Sequence, residues 1–176
     1  MMEEIRRQPR LKIPAAVIQE RVRELGARIK DDLSHSDDVL IVLSVLKGSF
    51  MFVADLVRAM DVPMHVEFVR ASSYGLERVS SGSVHVWENS WDDLTGRDVL
   101  VVEDIADTGR TLQAVIETAR NHGARSVSTV VLLRKTGSSV NPDYVGFDIG
   151  DEFVVGYGLD DAELWRNLPW IGIVGE

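Results

Sequence analysis

The 176-residue chain contains no cysteine. This excludes disulfides and cysteine-ligated metal sites, and it fits a reducing compartment. No apolar run approaches the length of a membrane span. The polar first segment, MMEEIRRQPR, lacks the apolar core of a signal peptide. We therefore expect a cytoplasmic protein without membrane contact.

Basic residues are outnumbered, with 19 Lys and Arg against 28 Asp and Glu, which gives a formal net charge of −9. Because nucleic acid binding depends on basic patches, no nucleic acid partner is expected. An anionic small molecule would need a local positive potential, supplied by a few side chains, backbone amides and a metal.

No repeat, linker or low-complexity tract divides the chain, so residues 1–176 are expected to form a single domain. An amphipathic helix is predicted over Pro14–Leu33. Helical spacing also follows Phe50 and Leu112, and Ala71–Ser83 is typical of a loop. The predicted strands are Val39–Leu46, Met64–Val69, Val84–Trp87, Asp98–Val102, Val127–Leu133, Tyr144–Phe147, Phe153–Tyr157 and Ile171–Val174.

Strands that alternate with helices predict an α/β fold with a largely parallel sheet flanked by helices. Ligands bind such sheets at the carboxyl ends of the strands. Four charged residues are expected at or just past those ends: Lys47, Glu103, Asp104 and Lys135.

The most informative segment is Val101–Thr111, VVEDIADTGRT. A buried strand leads to two carboxylates, and a loop rich in hydroxyl groups and glycine then opens a helix. Backbone N–H groups at the helix start, together with the Thr108 and Thr111 hydroxyls, predict a phosphate site. Gly109 permits close backbone approach. Carboxylates beside a phosphate site suit sugar hydroxyls or a metal.

This segment resembles the phosphoribosyl pyrophosphate (PRPP) signature of type I phosphoribosyltransferases. The resemblance implies that Glu103 and Asp104 flank the ribose hydroxyls and help to hold Mg²⁺. It implies that the loop Asp107–Thr111, including Arg110, binds the 5′-phosphate. Asp107 would be the catalytic acid or base, near purine N7.

Other segments are similar to the hypoxanthine-guanine branch of that family. Lys47 and Gly48 resemble its pyrophosphate loop, in which the Leu46–Lys47 peptide can be cis. Arg166 would contact the same pyrophosphate. Ser73 and Tyr74 resemble a mobile loop that closes over the site and excludes water.

The purine-binding residues are implied by the same resemblance. Lys135 would donate to the 6-oxo group, Phe153 would stack on the base, and backbone groups of Val154 would read its edge. Asp160 would hold Mg²⁺, directly or through water. Many bacterial relatives carry an acid where Arg134 stands and a proline after the lysine, where Thr136 stands here. The loop Thr136–Asn141 is therefore expected to differ.

The resemblance implies a type I phosphoribosyltransferase fold with a small hood built from the two termini. It also implies a homodimer or homotetramer that makes IMP or GMP from PRPP and a 6-oxopurine, with Mg²⁺ as cofactor. Two alternatives stay open at this point. One is a transferase that prefers xanthine or guanine, and the other is a PRPP-sensing regulator that binds nucleic acid.

Overall fold

The computed structural model describes residues 8–33, 38–73, 84–87 and 94–175. Within these ranges, nine strands and three helices follow one another along the chain. They are β1 Arg10–Ile13, α1 Ala15–Leu33, β2 Leu40–Leu46, α2 Phe50–Met60, β3 Met64–Ser73, β4 Val84–Trp87, β5 Asp98–Ala106, α3 Arg110–Asn121, β6 Ser126–Lys135, β7 Tyr144–Ile149, β8 Val154–Val155 and β9 Ile171–Ile173.

The larger sheet has the strand order β4-β3-β2-β5-β6-β7. The five strands β3, β2, β5, β6 and β7 are parallel, and β4 pairs antiparallel with β3. Helices cover both faces, which is why the central strands are apolar on both sides. This confirms the predicted α/β fold, and it brings the carboxyl ends of the parallel strands to one edge.

Helices α1 and α2 pack together on one face of the sheet, and α3 packs on the other. The apolar stripe of α1 is buried at Ile18, Val22, Leu25 and Ile29. Gly26 lies in the contact between the two helices, since a Cβ there would come 2.6 Å from the Ala59 Cβ and 2.8 Å from its carbonyl carbon. The α1–α2 contact therefore depends on the missing side chain.

Four strands of the large sheet, β3, β5, β6 and β7, are longer than the sequence patterns predict, and the extensions of β5 and β3 are the largest. β5 continues past Val102 to Ala106, so Glu103 and Asp104 lie near the carboxyl end of the strand rather than beyond it. β3 continues to Ser73, into the predicted loop Ala71–Ser83, because its end pairs with β4. The rest of that loop, including Tyr74, lies outside the described residues.

A second, three-stranded sheet has the order β1-β9-β8. It joins the N-terminal strand to two strands near the C terminus, as expected for a hood built from the termini. The predicted strand Phe153–Tyr157 is wrong in extent, because only Val154 and Val155 pair with β9. No helix within the described ranges combines the length and apolar character that crossing a bilayer requires.

We expect Gly26→Val to lower the free energy of unfolding by about 1–3 kcal/mol, because the added methyl groups would meet the Ala59 backbone. Urea unfolding measures this difference. Ala27→Val is the matched control, since Ala27 is exposed on the same helix. Equal losses in the two variants would contradict the proposed close packing.

Candidate active site

A pocket of about 340 Å³ opens at the carboxyl ends of the parallel strands. It lies between the β2–α2 turn, the end of β5, the start of α3 and the segment that follows β8. Its charged and polar lining includes seven residues predicted from the sequence: Lys47, Gly48, Glu103, Asp104, Thr111, Asp160 and Arg166. The fold thus brings together residues from four separate parts of the chain.

The β2–α2 turn forms one wall of the pocket. Its Leu46–Lys47 peptide is cis, as the resemblance implied. Gly48 packs against the Asp104 carboxylate, and a Cβ there would overlap that carboxylate. On its other side, a Cβ at Gly158 would overlap the carbonyl oxygen of Gly48, and Gly158 has a φ of +103°. Three segments therefore meet at a point that only glycine permits.

Glu103 and Asp104 form the acidic floor of the pocket. Glu103 is only 6% exposed, and its Oε2 atom is buried with no hydrogen-bond partner among the described residues. Burial, with a further contribution from the Asp104 charge, raises its pKa well above the usual range. Asp104 Oδ1 accepts a hydrogen bond from the Ile105 amide at 2.9 Å. Burial nevertheless raises the pKa of Asp104 to about 6.

The loop Asp107–Thr111 connects β5 to α3. Gly109 caps the helix with a φ of +80°, and no described side chain makes a capping hydrogen bond. The Arg110 amide lies 3.5 Å from Thr108 Oγ1. The first turn of α3 therefore presents backbone N–H groups at the positive end of the helix dipole, which is an arrangement that binds anions.

A second loop, residues 136–142, packs on this anion-binding loop. Ser139 Oγ donates to the carbonyl oxygen of Thr108 at 2.7 Å, and the Val140 side chain fills the space beside Gly109. Arg134 anchors the second loop by donating to Asn141 at 2.8 Å and to Asp148 on β7 at 2.7 Å. The acid that many bacterial relatives carry at this position could not form this ion pair with Asp148.

Lys135 and Asp107 meet at the edge of the sheet. Lys135 Nζ donates to Asp107 Oδ2 at 3.2 Å, and the lysine side chain is largely buried whereas the carboxylate is exposed. Neither residue lines the 340 Å³ pocket. Lys135 pairs with Ile149 across β6 and β7, next to the segment that leads to Phe153. The predicted base-binding group therefore lies beside the pocket rather than in it.

Phe153 and Val154 differ sharply in exposure. Phe153 is 52% exposed, which is unusual for an aromatic residue and leaves about half of it accessible to a ligand. Val154 is buried in β8, and its pairing with Ile173 occupies part of its backbone. Stacking by Phe153 is thus geometrically open, whereas the reading of a base edge by Val154 stays a prediction.

The turn after β8 carries a cluster of charges. Arg166 pairs with Asp160 at 2.7 Å and donates to the Gly158 carbonyl at 2.8 Å. Glu163, which the sequence analysis did not single out, pairs with Lys47 at 3.0 Å and lies 3.5 Å from Arg166. In the sequence, only its position between two predicted site residues, Asp160 and Arg166, pointed to Glu163. Its partner Lys47 is 116 positions away.

The acidic residues of the pocket fit a magnesium ion. Mg²⁺ is usually held by one or two carboxylates, with water and substrate phosphates completing its shell. Glu103 offers a buried oxygen that has no hydrogen-bond partner in the described part of the chain, and a cation beside Asp104 would offset the cost of burying its charge. Within the described ranges, no group of three or more His, Cys, Asp or Glu residues is arranged to hold a metal ion.

Comparisons with known proteins agree with this geometry. Residues 3–162 match the model of the phosphoribosyl transferase domain. The chain is 42% identical over 160 residues to a hypoxanthine-guanine phosphoribosyltransferase of Bacillus subtilis, covering 89% of this chain and 88% of that protein. It is 42% identical to a hypoxanthine phosphoribosyltransferase of Salmonella typhimurium, covering 92% and 93% of the two chains.

Solved structures show the same fold. A hypoxanthine phosphoribosyltransferase from Staphylococcus aureus superimposes with a TM-score of 0.86 at 37% identity, over 94% of this chain and 90% of that one. The enzyme from Trypanosoma cruzi, in complex with the product IMP, superimposes with a TM-score of 0.87 at 38% identity, over 97% and 96%. The expected type I phosphoribosyltransferase fold is confirmed.

We expect Asp104→Asn to stabilise the protein in EDTA at pH 7 by about 1–3 kcal/mol, since it removes a buried charge. The raised pKa means that the folded state binds more protons than the unfolded state between pH 3.8 and about 6. Wild-type stability should therefore fall as the pH rises through this window. The variant should lose the part of this dependence that comes from Asp104 and keep the part that comes from Glu103, because burial also raises the pKa of Glu103.

Urea unfolding of both proteins at several pH values measures this effect. Asp151→Asn, at an exposed position, controls for the loss of one negative charge. A wild-type protein that gains stability relative to Asp104→Asn as the pH rises would contradict the account of the acidic floor.

Proposed function

The chain belongs to the phosphoribosyl transferase domain family, and we propose that it transfers the phosphoribosyl group of PRPP to hypoxanthine or guanine, releasing pyrophosphate. The observation that carries the proposal is that the acidic floor, the anion-binding loop and Lys47 converge at one edge of the sheet. The names of the relatives support hypoxanthine and guanine as the bases.

In this proposal the anion-binding loop Asp107–Thr111 holds the 5′-phosphate through amides of α3 and the Thr108 and Thr111 hydroxyls. The carboxylates of the acidic floor, Glu103 and Asp104, accept hydrogen bonds from the ribose hydroxyls. Lys47, the Gly48 backbone and Arg166 bind the pyrophosphate, for which a guanidinium fork is well suited. Separate groups of residues thereby hold the 5′-phosphate and the pyrophosphate.

The chemical step exchanges one bond at C1′ for another. The C1′–O bond breaks and its electron pair leaves with the pyrophosphate, while positive charge builds on the ribose ring. Purine N9 then bonds to C1′, and Asp107 takes up the proton that the purine loses. The Lys135 ammonium holds Asp107 in place and donates to the 6-oxo group, with Phe153 stacking on the base.

Magnesium is part of the proposal, with Glu103 and Asp104 as the residues that would hold it, and Asp160 as a further contact. When bound, it would offset the negative charge of the pyrophosphate and make it a better leaving group. Both Asp160 oxygens are already engaged, one by Arg166 and one by the Glu163 amide. A contact between Asp160 and the metal through water suits that arrangement.

A steady-state assay tests the proposed function. The protein, PRPP and Mg²⁺ are mixed with hypoxanthine, guanine, xanthine or adenine in turn, and nucleotide formation is followed. We expect turnover of hypoxanthine and guanine that EDTA abolishes. Preferred turnover of xanthine would favour the first alternative. PRPP binding without turnover of any base would favour a nucleotide-sensing regulator and would contradict the proposal.

Asp107→Asn should lower kcat by about 10²-fold or more, because the amide cannot take up the purine proton. The dissociation constant for PRPP should change little, since the loop amides remain. Glu117→Gln, on the outer face of α3, is the matched control. A near wild-type kcat in Asp107→Asn would rule out the acid-base role.

Lys135→Ala should raise the KM for hypoxanthine and guanine by about tenfold or more, since a charge-assisted hydrogen bond to the base is lost. The KM for PRPP should change much less, because the amides and hydroxyls assigned to the 5′-phosphate remain. Lys30→Ala, which removes an exposed lysine of α1, controls for the charge. Unchanged KM values for both bases would exclude base recognition by Lys135.

Three further expectations belong to the proposal. The chain is proposed to be one domain over residues 1–176, to form a homodimer or homotetramer, and to act in the cytoplasm. Sedimentation of the purified protein measures the assembly directly. Closure of a loop that includes Ser73 and Tyr74 over the site also stays a prediction.

A further inference from the structure

Glu163 lies in the turn between β8 and β9, with its side chain on the wall of the pocket. Its amide donates to Asp160 Oδ2 at 2.8 Å, and its φ is +67°. The side chain is 66% exposed. The backbone of this residue is therefore fixed by the turn, whereas its exposed carboxylate lies on the wall of the pocket.

The Glu163 carboxylate bridges two cations with separate oxygens. Oε1 lies 3.0 Å from Lys47 Nζ, and Oε2 lies 3.5 Å from the Arg166 guanidinium. Arg166 is also held by Asp160 and by the Gly158 carbonyl, so it does not depend on Glu163 for its position. For Lys47, Glu163 is the ion-pair partner among the described residues.

These two cations are the side chains to which the proposed function assigns the pyrophosphate. Lys47, Arg166 and Glu163 line the same pocket, so a bound pyrophosphate and the carboxylate would compete for the same two cations. Exposed ion pairs are individually weak, so a multiply charged anion can displace the carboxylate at modest cost. That cost would nevertheless be subtracted from the free energy of pyrophosphate binding.

We propose that Glu163 competes with pyrophosphate for Lys47 and Arg166. Glu163 pairs with these two cations when no pyrophosphate is bound, and it thereby weakens pyrophosphate binding. The inference rests on the proposed function, because it takes pyrophosphate as the ligand of these cations. In a transferase that releases pyrophosphate, such competition favours product departure, a step that often limits turnover.

The opposite role predicts an effect of the opposite sign. If Glu163 helped to hold a metal that bridges to pyrophosphate, its removal would weaken binding. Competition predicts that its removal strengthens binding. The sign of the change in affinity therefore separates the two roles.

Calorimetric titration of inorganic pyrophosphate into the full chain, in buffer containing Mg²⁺, tests the inference. Glu163→Gln should bind pyrophosphate on the order of fivefold more tightly than the wild type, the amount expected from the loss of the exposed ion pair with Lys47 and the longer, partly exposed pair with Arg166. The inhibition constant of pyrophosphate in the forward reaction should fall by a similar factor.

Asp161→Asn is the matched control, because it removes one charge from the same turn at a residue whose described contacts are with the Leu164 backbone. It should change the affinity much less than Glu163→Gln. Equal tightening in both variants would show a general charge effect and would overturn the inference.

Glu163→Asn is a second variant, since asparagine tolerates the positive φ of this position. Thermal unfolding checks that both variants fold. Unchanged or weaker pyrophosphate binding in folded variants, with normal wild-type binding, would overturn the inference and leave the proposed function intact. Two unfolded variants would assign Glu163 a structural role instead. A wild-type protein that binds no pyrophosphate would refute the proposed function itself.

Discussion

The site depends on the contact between Gly48 and its two neighbours, the Asp104 carboxylate and the Gly158 backbone. This contact joins the β2–α2 turn, the end of β5 and the segment after β8, which the chain itself keeps far apart. A side chain at Gly48 would displace the carboxylate, and one at Gly158 would displace the turn. The distances between the acidic floor, Lys47 and Arg166 are therefore set by backbone packing.

Such packing explains how an acidic protein can provide a site for a polyanion. The net charge of −9 would repel PRPP at long range. Within the site, however, Lys47, Arg166 and the amides of the first turn of α3 lie on the same edge of the sheet. The carboxylates nearby are either buried, as in Glu103, or paired, as in Asp160. The positive potential is thus confined to the site, where the neighbouring carboxylates are buried or paired.

Much of the fold follows from local pattern, whereas the limits of several elements follow from long-range pairing. The run Asp98–Val102 predicts a strand because its residues are apolar on both faces. The extension to Ala106 depends on pairing with Leu133 and Arg134 of β6, which no local pattern reveals. β1 was not predicted, because its partner β9 lies at the other end of the chain.

The site shows the same division. Glu103, Asp104 and the loop up to Thr111 are predictable because they form one continuous motif. Glu163 is not, because its role depends on Lys47, 116 positions earlier. Arg134 was noted as a departure from relatives, but its ion pair with Asp148 and its anchoring of Asn141 required the structure.

The central claim is that close packing at Gly48 and Gly158 holds the acidic floor beside Lys47 and Arg166. Titration of PRPP into Gly48→Ala in the presence of Mg²⁺ tests it most directly, with Gly137→Ala, where a Cβ meets no atom closer than 4.0 Å, as the control. The account predicts that Gly48→Ala stays folded but binds PRPP at least about tenfold more weakly, while Gly137→Ala binds like the wild type. Wild-type affinity in Gly48→Ala would contradict it.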